Sequence, residues 1–236
     1  MKILAVDTSA KVLSVALCDD EKLIAQTTLN TGNTHSETIL AVTDELLKKA
    51  GIEVRDIDLF SCSNGPGSFT GIRIGVSFIK GIAFGTNKPC VGVSTLEALA
   101  YNLKDYSGVI CPVMDARRSQ LYNALFRSDG VLIKRLVPDR LISASELEKE
   151  LEIYDMPIYF CGDGYNIASS EIKNRNIRNT NLFSTHQSAY SVAQTALDKY
   201  RSGGSTTDRE LLPVYLRASQ AERELAEKKK SEVIIK

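Results

Sequence analysis

"NGPGSFTGIRIGVSFIKGIAFG", residues 64–85, sets a glycine-rich turn directly ahead of an apolar stretch with helical spacing. The β-like segment "DLFSCSN" runs into it, so the unit reads strand, tight turn, helix, the building block of layered α/β folds. Backbone N–H groups at a helix start hold anions, which raises a phosphate-binding reading for the turn. The Walker pattern G-x-x-x-x-G-K-[ST] is not completed from Gly65, Gly67 or Gly71, and Thr70 stands where G-x-G-x-x-G needs its third glycine. An anion cradle or a sharp corner that glycine permits remains. On a helical wheel Ile72, Val76, Ile79 and Ala83 form one apolar stripe, Gly71, Gly75, Phe78 and Ile82 a second, and Arg73, Ser77 and Lys80 only a narrow polar strip. Covering one face of a sheet takes one stripe; two point to deep burial or to a protein partner.

Before this unit, "KILAVD", "VLSVALC" and "KLIAQTTL" read as strands separated by turn residues. Thr34 and Glu37 have capping-box spacing for a helix that Gly51 ends, and Ser94 with Glu97 repeats the signal after the strand "PCVGV". The order β-β-β-α-β-α-β-α predicts a mixed sheet flanked by helices. In the second half "GVICPVMD" and "QLYNALF" flank the turn "ARRS", "GVLIKRLV" continues them, and Ser143 with Glu146 caps a short helix. "PIYFCGDG" is a strand ending in glycines, and "SVAQTALDKYRSGG" is a helix stopped by Gly203 and Gly204. No internal sequence repeat is visible. The expected division is an N-terminal lobe, 1–104, a C-terminal lobe, 105–217, and a charged tail, 218–236.

Lys plus Arg and Asp plus Glu both number 29, so net charge alone gives no pull toward nucleic acid. No apolar run approaches the roughly 20 residues that span a bilayer, and polar Asp7 interrupts the start, so a cytoplasmic protein without membrane contact is expected. The five cysteines are scattered among apolar strands with no C-x-x-C and are expected to be buried, reduced thiols.

"ILAVDTS", "HSETILAVTDELL", the 64–85 block, "VGVSTLEALA", "MDARRSQLY", "GDG" and "PVYLR" follow one another in an order and spacing that resembles the bacterial TsaB (YeaZ) family over nearly the whole chain to Arg217. The resemblance implies an actin/Hsp70/sugar-kinase-like fold in two lobes. It also implies a non-catalytic role in forming N6-threonylcarbamoyladenosine at adenosine 37 of tRNAs that read codons beginning with A. The chain would act as partner of the paralogue TsaD, with the ATPase TsaE. Thr43 and Leu46 on the first helix and Gly71, Gly75 and Phe78 on the second would form the partner interface, which alone would make a homodimer.

In TsaD-type proteins the stretch similar to "VGVSTLEALA" carries two metal-holding histidines. Thr95 and Leu99 stand there, and leucine cannot ligate a metal. The resemblance therefore implies no metal and no cofactor of its own, ATP being used by the partner complex. His35 and His186 have no nearby ligand in sequence and read as solvated or capping groups. Enzymes of this fold open with D-x-G-x-[ST], whereas Asp7 is followed by "TSAK". Asp7 and Ser9, with Gly162, Asp163 and Gly164, are the positions where an anion or nucleotide contact would fall, and a tight turn explains the glycines equally well. Arg117 and Arg118 in "DARRSQ" are the candidate tRNA contacts, reached through the complex. An independent ATP-dependent small-molecule kinase is the alternative; it would need an aspartate base and two phosphate loops. A peptidase finds no Ser-His-Asp or HExxH spacing.

Overall fold

The computed structural model describes residues 1–217, so the expected charged tail, 218–236, lies outside the described residues. The first half contributes β1 (Lys2–Asp7), β2 (Leu13–Asp19), β3 (Lys22–Leu29), α1 (His35–Ala50), β4 (Leu59–Gly65), α2 (Phe69–Ala83), β5 (Cys90–Ser94) and α3 (Thr95–Tyr101). The second contributes β6 (Gly108–Asp115), β7 (Gln120–Ser128), β8 (Ile133–Ser143), α4 (Ala144–Leu151), β9 (Ile158–Cys161), α5 (Tyr165–Glu171), β10 (Ile177–Arg178) and α6 (Ala189–Arg201). The sheets are ordered β3-β2-β1-β4-β5 and β10-β9-β6-β7-β8. Each is an antiparallel three-strand meander whose first strand also pairs in parallel with a later one. One topology is thus used twice, although the sequence shows no repeat.

Strand alternation sorts the core into four clusters. Leu4 and Val6 of β1 join α1 and α2 on one face of the first sheet, while Ile3 and Ala5 join α6 on the other. In the second sheet Val109, Cys111 and Val113 meet α4 and α5, and Ile110 and Met114 meet α3. The third helix of each half therefore covers the other half's sheet, and α3 and α6 touch between the two sheets. The layers run helix, sheet, helix, sheet, helix. This corrects the expected division at residue 104: α6, placed with the second lobe, packs on the first sheet. Each large apolar side chain removed from water here contributes roughly 1.5–3 kcal/mol.

Helix starts divide by chemistry. At α4 the capping box is complete, with Ser143 Oγ accepting from Glu146 N and the Glu146 carboxylate accepting from Ser143 N. At α3 it is half made: Ser94 Oγ accepts from Glu97 N at 3.2 Å and donates to Asp139 at 2.6 Å, while the Glu97 carboxylate pairs with Arg135 and Lys199. At α1 the expected box is absent, because the Thr34 side chain makes no cap bond and the backbone oxygen of Thr34 takes Glu37 N instead. Gly51 does end α1, in the left-handed conformation.

After α6 the chain returns to the first sheet as a strap. Cys90 and Thr206 exchange backbone hydrogen bonds, Val214 N donates to Asn64 O at 2.7 Å, and Lys80 Nζ donates to the carbonyls of Arg209 and Leu211.

Candidate functional site

The glycine-rich turn after β4 is a packing device. A Cβ at Gly71 would lie 2.0 Å from Thr8 O, one at Gly75 2.5 Å from Thr8 Oγ1, and one at Gly67 2.5 Å from Ser9 O. These glycines let α2 press on the chain that follows β1. The turn's hydrogen-bonding groups are also committed: Ser68 N donates to Ser9 O at 2.7 Å, and Ser68 Oγ caps the helix by accepting from Gly71 N.

This placement corrects most of the expected partner interface. Thr43 and Leu46 are buried in the core, and Gly71 and Gly75 face the chain's own sheet, so these four cannot touch a partner. A two-stripe wheel cannot tell a helix that presents its small residues to a partner from one that presents them to its own sheet. Phe78 alone of the five is half-exposed. The strap lies along the Arg73 and Lys80 flank of α2, leaving a crown of Ser77, Gly81 and Ile74, with Phe78 and Ile82 beside it. A Cβ at Gly81 would meet nothing within 4 Å, and Phe84 just past the helix is 72% exposed. On α1, Leu40 is 65% exposed.

The two acidic candidates differ. Asp7 is buried, and its oxygens accept from Ser9 N at 2.9 Å and from Ser9 Oγ and Ser63 Oγ at 2.6 Å each. Burial raises its pKa above the ordinary carboxylate value, against the lowering effect of those hydroxyls. Asp163 lies on a cleft floor, its side chain open to solvent on one side and crowded by protein on the others. That crowding raises its pKa, and the charge of Asp115 adds to the shift. The glycines beside it serve close packing: a Cβ at Gly162 would lie 2.2 Å from Val113 O and one at Gly164 about 3 Å from the backbone of Met114. Gly162 N and Gly164 N donate to Thr185 O and Val113 O, so those amides are not presented to a ligand.

Thr95 and Leu99 are buried in α3, with Leu99 in the cluster that joins α3 to the second sheet. His35 Nε2 lies 2.7 Å from Ala10 O, and the His186 carbonyl accepts from Asn102. All five cysteines are free and buried; burial pushes the Cys18 and Cys90 thiols up to about 11 and those of Cys62, Cys111 and Cys161 higher still.

Between the sheets opens a cleft of about 670 Å³. Ser9, Lys11 and Asp163 line it together with the β6–β7 hairpin tip, the start of α2 and the end of the strap. It brings together Ser9, Arg117, Arg118 and Asp163 from the sequence reading and adds three residues that reading did not assign: Lys11, Phe69 and Tyr215. Tyr215 stands in "PVYLR", and a motif of that kind far from the turn gave no sign of which element it would lie against.

A family model described as "TsaD: tRNA N6-adenosine threonylcarbamoyltransferase" matches residues 23–225. The chain is 30% identical to the tRNA threonylcarbamoyladenosine biosynthesis protein TsaB of Bacillus subtilis (strain 168), across 98% of this chain and 100% of that protein. It is 36% identical to the TsaB of Escherichia coli (strain K12) over 55% of this chain and 56% of that one. Among solved structures, YeaZ from Pseudomonas aeruginosa superimposes with a TM-score of 0.79 at 23% identity, covering 91% of this chain and 99% of that one. The fold is therefore that of the YeaZ structure, two mixed sheets flanked by helices.

Proposed function

Since the chain belongs to the TsaB family and has a role in tRNA threonylcarbamoyladenosine biosynthesis, we propose that it acts there as a non-catalytic subunit that docks a TsaD-type threonylcarbamoyltransferase. The observation that carries this reading is the crown of α2, where half-exposed Ile74, Phe78 and Ile82 surround Ser77 and the open Gly81, with Leu40 of neighbouring α1 exposed as well. An apolar helix face with a small residue at its centre lets a second helix approach closely. Without its partner the chain pairs with itself through the same face. The complex works in the cytoplasm, TsaE supplies its ATPase, tRNA reaches this chain through it, and the chain carries no cofactor or metal of its own. No helix among the described residues is long and apolar enough to cross a membrane.

Two features favour a non-catalytic role. Thr95 and Leu99, at the positions where the resemblance sets the paralogue's metal-binding histidines, are spent on core packing. The oxygens of Asp7 are engaged by the chain's own hydroxyls and amide. An aspartate so held is poorly placed to receive a substrate proton.

Ser77→Arg with Gly81→Arg tests the docking, because both positions are exposed and neither substitution enters the core. The expected result is at least a tenfold loss of TsaD capture and dissociation of the homodimer in light scattering, with the melting temperature unchanged. Undiminished capture by the folded variant, or no capture by the wild type, overturns the reading.

A further inference from the structure

We propose that the outer edge of the second sheet, from Lys173 to Phe183, binds a single strand of RNA, with Lys173, Arg175 and Arg178 on its phosphates and a base stacked on Phe183. The choice of RNA rests on the chain's role in tRNA threonylcarbamoyladenosine biosynthesis. The edge itself stands apart from the TsaD docking face and from the cleft, which none of these residues lines. "KNRNIRNTNLF", residues 173–183, carries three cations and no acid, with asparagine at 174, 176, 179 and 181.

The fold turns that segment outward. Ile177 and Arg178 form β10, in register with Ile158 and Tyr159 of β9. Ile177 packs into the cluster under α4 and α5, so strand alternation sends Arg178 to the other face, where it is exposed. Beyond β10 the chain stays pinned along its inner side. Thr180 Oγ1 donates to Phe160 O at 3.0 Å, Gly162 N donates to Thr185 O at 2.8 Å, and Asn102 Nδ2 donates to the carbonyls of Ser184 and His186. Lys173, Arg175 and Phe183 are left exposed on the outside.

The charges along this edge are poorly balanced. Arg178 Nη1 donates to Arg175 O at 2.9 Å and to Ile177 O at 3.0 Å, carbonyls that fix the guanidinium without cancelling its charge. Asp155 meets Arg175 at 3.6 Å with both side chains at least 85% exposed, a solvated pair that a phosphate can displace. Glu148 of α4 accepts from the Lys173 backbone N at 2.7 Å, and the Lys173 ammonium has no hydrogen-bond or ion-pair partner among the described residues. Phe183 is 79% exposed, and its backbone N donates to Asn181 Oδ1 at 3.0 Å, so a fixed turn presents the ring to solvent. Cations in line with an open ring match a strand that offers phosphates and bases together. An acidic peptide would use the cations and leave the ring idle.

The test uses the full chain and a labelled single-stranded oligoribonucleotide of mixed sequence, followed by fluorescence anisotropy at low salt. The wild type is expected to bind, with log K falling against log salt at a slope of about −2, three contacts at about 0.7 each. Arg175→Glu with Arg178→Glu should weaken binding at least tenfold, and Phe183→Ala should weaken it about 5- to 150-fold. All three positions are exposed, so melting temperatures should stay at the wild-type value. Arg117→Glu with Arg118→Glu, in the cleft, should leave strand binding unchanged. No binding by the wild type at about 0.1 mM protein, the weak end of non-specific nucleic-acid binding, overturns the proposal. Unchanged affinity in the folded edge variants, or a loss confined to the cleft variant, does the same. Poly-glutamate bound as tightly as the strand, with Phe183→Ala behaving as wild type, would overturn it too and assign the edge to an acidic protein. TsaD capture by the edge variants should match the wild type, so a failed edge and a failed docking face give different results.

Discussion

The two halves share one topology and spend it differently. In the first, the helix after the glycine turn is 15 residues long and the next strand 5; their counterparts in the second, α5 and β10, have 7 and 2. Both turns use glycine for the same purpose, to let backbone touch backbone. The difference lies beyond the turn: α5 only covers its sheet, whereas α2 covers its sheet and keeps a crown facing outward. The longer helix is the one with two surfaces to serve. A fold repeat without a sequence repeat follows, since inner faces answer only to burial and alternation, which many sequences satisfy.

The contrast between the two turns gives the largest expected effect. Gly71→Ala drives a Cβ onto the Thr8 carbonyl and should cost about 3 kcal/mol, a fall of roughly 6–12 °C in melting temperature, while Gly164→Ala, whose nearest atoms lie about 3 Å away, should cost about 1 kcal/mol. Thermal unfolding of both variants decides; equal losses would erase the distinction.

The buried carboxylate of Asp7, beside the glycine-turn strand, comes next. The folded pKa of Asp7 lies above its ordinary value of 3.8, chiefly through burial, so the native state keeps a proton that the unfolded chain has already released. The resulting stability is full below the ordinary value and is lost as pH rises toward the folded value, at up to about 1.4 kcal/mol per pH unit. Asp7→Asn should abolish that slope in urea titrations started at pH 4 and carried upward. Parallel pH profiles for wild type and variant would show that the hydrogen bonds from Ser9 and Ser63, not burial, set this group.

The helix starts that follow the two meanders give the smallest effect. Ser143→Ala breaks a complete capping box and should cost about 1 kcal/mol, whereas Thr34→Ala, where no side-chain bond exists, should change stability by no more than a few tenths. Equal losses in denaturant unfolding would mean that Thr34 caps α1 in solution after all.

Much of this molecule was legible in the sequence for a physical reason. Ile72, Val76, Ile79 and Ala83 form the buried stripe their spacing predicts, and the first three strands fall where β-branched residues alternate between turns. The inward placement of Gly71 and Gly75 was not legible, since spacing alone does not say which neighbour a small residue admits. The exchange of α3 and α6 between sheets was hidden too: each helix carries an ordinary apolar face, and nothing local names the sheet it will cover. The half-made box at Ser94 escaped for a third reason, as Glu97 meets two cations that arrive from β8 and α6.

The strap has a consequence for synthesis. Val214 closes against Asn64 and Thr206 against Cys90, and α6 seals a face of the sheet begun at Lys2. A ribosome adding roughly 5–20 residues per second needs on the order of 10 s between making β5 and making its closing segment. Through that interval the newborn first half carries an uncovered sheet face and an open edge, the features chaperones hold. The chain finishes its beginning last.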